Sequence, residues 1–273
     1  MHHKALHQIK FQLTAFKKSA SKSFRETWYR LVRRKFESIT WKLWAKGILI
    51  GDRFISRRNA INRLDDLTSV EVDPERISTY IRPEDVDRKH FIWSGNWDLR
   101  TKSMTEHERF QLMYDLWVHR DALEETNAFK DMVEGIKRGI YPNHFNRNIQ
   151  VNTPEKALML LKSQLEIFDS LARFGYQPQL ATDEIKVAVD RNGNLVKANG
   201  GRKRLSAAII FGLPKLPVRI AYVHKDWIAS HSTHRSNKQE SLEKALTAIK
   251  KKYAVVSEAT QVSRDGVTEP TRL

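Results

Sequence analysis

In Glu184-Ile-Lys-Val-Ala-Val-Asp-Arg-Asn-Gly-Asn-Leu-Val-Lys-Ala-Asn-Gly-Gly-Arg-Lys-Arg-Leu-Ser-Ala-Ala-Ile-Ile-Phe-Gly-Leu213, two short β-prone runs are joined by Asn192-Gly193. A glycine pair and three cations then open a helix of small residues that stops at Gly212. Asn-Gly between alternating apolar residues is a hairpin signal, and a glycine after the last periodic residue is a helix stop. A glycine-lined helix start leaves backbone N–H groups free at the positive end of the helix, and Arg202-Lys203-Arg204 adds cations there. Phosphate is therefore the first ligand to consider. Set against it, Gly-Gly before a helix also serves as a plain strand-to-helix connection, and three cations also make a solvated charge run.

Outward from this stretch, Thr153-Pro154 predicts a helix start, Leu158, Leu161, Leu165, Phe168 and Leu171 give it one apolar face, and Gly175 ends it. Leu216 to Val223 reads as a strand, His224 stands where it can cap the next helix through Asp226, and Lys238 to Lys252 reads as a charged helix. Upstream, Val70-Glu-Val-Asp-Pro74 is a short strand entering a turn. Trp93, Trp97 and Asp98 read as a buried aromatic corner with Asp98 capping a turn. Thr105-Glu-His-Glu108 has the form of a capping box opening a helix that carries Phe110, Met113, Tyr114 and Trp117. Ala128 to Lys137 reads as a second helix ending at Gly139.

Strand, Asn-Gly turn, strand, Asn199-Gly-Gly-Arg-Lys-Arg-Leu-Ser-Ala-Ala208, helix, Gly212-Leu-Pro-Lys-Leu-Pro-Val218 resembles the signature of the ParB/sulfiredoxin-like superfamily over residues 183–227. In that pattern a glycine, a variable residue, His or Arg, and Arg open a helix with two alanines. Gly201, Arg202, Lys203, Arg204, Ala207 and Ala208 take those positions here. Lys203 departs from the family's His or Arg, which keeps the charge and replaces a planar donor with a point charge. The resemblance implies an α+β fold, a small mixed sheet with packed helices. It implies that Gly200 and Gly201 allow close backbone approach, while Lys203 and Arg204 bind the phosphates of ATP or CTP with Mg²⁺. Sulfiredoxins place a catalytic cysteine at the variable position; Arg202 stands there and the chain has no cysteine, so sulfinic-acid reduction is excluded.

A kinase or NTPase would also need a carboxylate to orient a nucleophile or hold Mg²⁺. Glu184, just before the first strand of the motif, is the candidate catalytic residue, with Asp98, Arg202 and His224 as accessory groups; no protein metal site is expected.

The formal charge is +16, but residues 1–64 alone carry 16 Lys and Arg against Glu26, Glu37 and Asp52. The cationic character therefore belongs to an amphipathic helical arm running from about His7 to Ile50. Its Trp28, Arg33, Arg34, Lys35, Trp41 and Trp44 suit either DNA or an anionic membrane surface, and packing onto the body explains the aromatics equally well. No apolar run is long enough to span a bilayer. The division expected is a basic helical arm over 1–64, an α/β lead-in region over 65–150, the ParB/sulfiredoxin-like unit over 151–256, and a flexible tail over 257–273. Ser56 to Ser69 reads as a polar joint, and Tyr141 to Asn148 as a connecting loop that lies over a site or merely links two helices. Three functions follow: a cytoplasmic nucleotide-binding protein or phosphotransferase, a partition-like DNA-binding protein, and a membrane-peripheral accessory protein of surface-glycan assembly. The second is disfavoured, because the residues after Trp227 leave no room for a helix-turn-helix domain.

Overall fold

The computed structural model describes residues 22–48, 52, 55–85, 89–140, 150–177, 184–233 and 237–254, without the side chains of 22–30 and 33. The loop at Tyr141 to Asn148 and the tail from 257 onward lie outside them. The protein is α+β, built on one mixed sheet of seven strands. These are β1 (Ser69–Val72), β2 (Thr79–Tyr80), β3 (Ile92–Trp93), β4 (Lys102–Ser103), β5 (Lys186–Val189), β6 (Leu195–Lys197) and β7 (Leu216–His224). The order is β1-β7-β5-β6-β2-β4, and β3 joins β7 beyond the end of β1.

β5 lies antiparallel to β6, with Val187 opposite Lys197, and parallel to β7, with Val187 opposite Ile220. Asp190 closes the hairpin: its Oδ1 accepts the N–H groups of Asn192 and Asn194. The lead-in region over 65–150 is continuous with this sheet. It supplies β1 to β4, because the β5-β6-β7 unit would otherwise expose both of its edges.

Nine α-helices are described: α1 (Lys22–Ala45), α2 (Arg57–Arg63), α3 (Asp65–Thr68), α4 (Glu108–Val118), α5 (Asn127–Lys137), α6 (Pro154–Phe174), α7 (Arg202–Phe211), α8 (Lys225–Ser230) and α9 (Lys238–Ala254). α6 begins and ends as its sequence predicts, with the Thr153 hydroxyl accepting the Lys156 N–H and Gly175 closing the last turn. Ser56 to Ser69 is not a joint. It folds into α2 and α3, capped by the Ser56 hydroxyl, because Ala60 and Leu64 are buried in the core. α4 starts later than its capping-box pattern suggests. Residues Met104–Glu106 form a 3-10 turn, and His107 caps the helix by accepting the Arg109 N–H on Nδ1.

One core lies between the sheet and α1, α2, α7 and α9, joining Val187, Val218 and Ile220 to Trp44, Ala60, Leu205, Leu242, Leu246 and Ile249. A second lies among α4, α5, α6 and α7, where Met113, Leu116, Leu161 and Phe168 meet Ala207. α7 is thus covered on two sides, which is why it is made of small residues: Leu205 and Ala208 belong to the first core and Ala207 to the second. Ile81, Trp93, Trp97 and Tyr222 fill a third cluster with Ala188 and Val196 on the sheet.

The aromatic arm is corrected by this packing. Trp41 and Trp44 are 3% and 1% exposed. Trp41 Nε1 donates to Gln239 Oε1 of α9 at 2.9 Å, and Trp44 Nε1 to Asp52 Oδ1 at 3.1 Å. Neither ring is available to stack on bases or to sit among lipid headgroups. Their spacing of three is that of a core-facing helix stripe. The side chains of Trp28 and Arg33 lie outside the described residues, while Arg34 and Lys35 are exposed.

Candidate anion-binding site

β6 leads straight into the glycine pair. Gly200 and Gly201 both have positive φ, +78° and +66°, and Gly201 is the N-cap of α7, offering no side chain to the first-turn N–H groups. The loop is held from below by Lys197, which is wholly buried. Its ammonium donates to the carbonyls of Lys186 at 2.9 Å, Ala198 at 3.0 Å and Gly200 at 2.5 Å. The Asn199 carbonyl lies at 3.5 Å as a fourth acceptor, so the three N–H donors of the ammonium are all engaged and fix the turn into α7. From above, Tyr222 donates its hydroxyl to Asn199 Oδ1 at 3.3 Å and accepts from Arg57 at 2.5 Å.

The three cations that follow diverge. Lys203 donates to Gln164 Oε1 of α6, and Arg204 Nη1 to the Tyr176 hydroxyl at 3.2 Å. Arg202 lies on the α4 side, close enough to His107 to repel its proton. Burial first and then Arg202 hold the His107 imidazole below its ordinary pKa; Glu108 pulls the other way, and Arg109 and Lys197 add smaller lowering effects. Burial and the Arg109 guanidinium lower Lys203 as well. His107 is stacked edge-on against Tyr80 at 4.6 Å. With Nδ1 accepting from Arg109, the neutral ring carries its proton on Nε2 and acts as a donor. Arg202 and His107, and Arg109 and Lys203, are thus close enough across α4 and α7 to feel one another's charge. Arg109 also lines a cleft of about 670 Å³ between α4 and α5.

Of the residues singled out from sequence, Gly200, Gly201, Arg202, Lys203 and Arg204 form the turn into α7 and its first turn, with the three cationic side chains directed to different neighbours. Glu184 lies at the same end of the sheet, since the neighbouring Ile185 packs under Gly201, but its carboxylate is turned to Arg219 at 2.8 Å, which is also held by Asp65. Asp98 and His224 do not belong to the site. They sit 3.8 Å apart beside the hairpin turn, at the opposite end of β5 and β6.

There Asp98 is gripped by Arg191 through Nε at 2.7 Å, Nη2 at 2.8 Å and the backbone N–H at 3.2 Å. Burial opposes the charge on Asp98, yet the Arg191 bonds and nearby His224 leave its pKa below the ordinary value. His224 caps α8 by accepting the Asp226 N–H and bonds the Gly95 carbonyl, so both its nitrogens are engaged. This is a clasp tying the hairpin to the loop before β4.

His107, Arg109, Gln164 and Lys197 escape a sequence reading of the site. His107 and Arg109 look like helix-start residues, and Gln164 is one of several polar residues of an amphipathic helix. Lys197 gives the better signal, a charge inside Leu195-Val196-Lys197-Ala198 where each neighbour is buried. Among the described residues no cluster of three His, Asp or Glu side chains is placed to hold a metal ion. No protein-family profile, curated protein or solved structure matches this chain.

Proposed function

We propose that the protein binds the phosphate groups of a nucleotide, ATP or CTP, at the start of α7. The observation that carries the reading is that α4 sets His107 and Arg109 close to Arg202 and Lys203 in the first turn of α7, a helix whose N-cap is a bare glycine. Cationic neighbours that depress the proton affinity of His107 and Lys203 make a local positive potential, and an anion of two or more charges relieves it. The first-turn N–H groups of α7 supply directional donors, Lys203 and Arg204 belong to the same turn and would exchange Gln164 and Tyr176 for the phosphates, and the neutral His107 adds an Nε2 donor. Mg²⁺ accompanies the nucleotide as the counter-ion of its phosphates.

The resemblance of residues 183–227 to ParB/sulfiredoxin-like sequences supports the same ligand. Binding is what these groups supply directly. Phosphoryl transfer adds the requirement that Glu184 exchange Arg219 for Mg²⁺ or an acceptor hydroxyl. The test is a thermal-shift panel over ATP, CTP and inorganic phosphate with Mg²⁺. A ligand at 100 times its Kd stabilises by about 2.7 kcal/mol, and Arg204→Ala or Lys203→Ala is expected to abolish the shift. A panel in which no nucleotide moves the melting temperature sinks the proposal.

A further inference from the structure

With Trp41 and Trp44 turned inward, the opposite face of α1 is left outward. Leu31, Lys35, Ile39 and Lys42 recur every three to four residues along one stripe, all exposed, with Arg34 and Phe36 on its flanks and exposed Lys46 just past the end of the helix. Leu31, Ile39 and Phe36 are 55%, 56% and 38% exposed, and Ile48, just past the helix, is 53% exposed. In this stretch the one acidic residue, Glu37, is half-buried on the inner side, where its carbonyl accepts from Asn59 of α2. The outward stripe therefore alternates aliphatic side chains with lysines and carries no carboxylate.

We infer that this face of α1 docks on the surface of an anionic lipid bilayer. Charge complementarity picks the occupant. Lysine stems extend along apolar surface while their ammonium groups reach lipid phosphates, and the aliphatic residues between them enter the acyl boundary. A nucleic acid backbone would satisfy the cations but leave Leu31, Ile39 and Ile48 with nothing apolar to meet. Among the described residues no helix is long and apolar enough to cross a membrane, so the contact is interfacial. The surface is separate from the start of α7 and does not depend on nucleotide binding.

The test is co-flotation of the full chain with vesicles of phosphatidylcholine alone and of phosphatidylcholine with phosphatidylserine. Binding is expected to the mixed vesicles only, to weaken as salt rises, and to fall on the order of 100-fold when Arg34, Lys35 and Lys42 are replaced together by alanine. Leu31→Asp with Ile39→Asp is expected to abolish flotation. Both sites are exposed, so an unchanged melting temperature separates this loss from unfolding. Equal binding to neutral vesicles, flotation retained by the double aspartate variant, or no flotation at all would overturn the inference. So would a dimer in sedimentation velocity that the double aspartate variant dissolves.

Discussion

Replacing Gly201 with alanine probes how tightly the candidate site is seated on the sheet. At φ +66° an alanine pays for its Cβ in backbone strain, on the order of 1–2 kcal/mol. The Cβ would also stand 2.6 Å from Ile185 Cγ1 and 2.9 Å from Ile185 Cα. The side-chain contact can be eased by rotation, but the Cα cannot retreat easily, because the Ile185 carbonyl accepts the Arg219 N–H of β7 at 2.8 Å. Overpacking of this kind costs a further ~1–3 kcal/mol.

Gly212 at the other end of α7 is the control, with φ +72° and no atom within 4 Å of the point where an alanine methyl would stand. Gly212→Ala carries the strain alone, reduced by the stiffer unfolded chain, and should cost about 1 kcal/mol. The gap between the variants is then roughly 2 kcal/mol, or ~4–8 °C in melting temperature for a domain of this size. Calorimetry or circular dichroism on both variants measures it. Nucleotide stabilisation should survive Gly212→Ala and vanish in Gly201→Ala. Equal melting temperatures would refute the close seating of the loop on Ile185, and with it the idea that glycine is required for access.

His107 has a folded-state pKa below its ordinary 6.5, so the unfolded chain takes up this proton first. Stability should therefore fall as pH drops below ~6.5 toward the folded value and be insensitive to this group above it; His107→Gln should flatten that part of a melting-temperature profile. Asp98 has the opposite linkage. Its lowered pKa contributes stability above the ordinary carboxylate range that is lost as pH falls through the folded value, so the urea midpoints of wild type and Asp98→Asn should differ at neutral pH and converge in acid. Trp44→Ala opens a cavity between α1 and α9 and should cost about 3–5 kcal/mol by urea denaturation, whereas Leu31→Ala on the outer stripe should stay within ~0.5 kcal/mol.

The hairpin, the α7 start and α6 were legible because each is specified by neighbours in sequence. Asn192-Gly193 sets a turn, Thr153-Pro154 a cap, and the two glycines of 200–201 a pair of positive φ angles. Local chemistry also placed His224 as the cap of α8. What the sequence hid were contacts made across the chain. Gln164 reaches Lys203 over 39 positions, and Trp41 reaches Gln239 over 198. A tryptophan among lysines has the same local pattern whether it faces lipid or core, because a helix stripe states that one face is apolar without saying what covers it.

The same ambiguity explains Asp98 and His224. Each is a titratable residue close to an aromatic cluster, and only the parallel pairing of β3 with β7, which sets Trp93 opposite His224, shows that they close the far end of the sheet. The residues that sharpen the anion site are of this non-local kind. Arg202, Lys203 and Arg204 taken alone are a solvated charge run. Once α4 brings Arg109 and His107 against α7, and Lys197 locks the turn beneath, burial and mutual repulsion set in. A charge run on open surface would escape both by spreading into water. The fold holds these groups together against that repulsion, and the local positive potential that results is the ground on which we propose an anion at the α7 N-terminus.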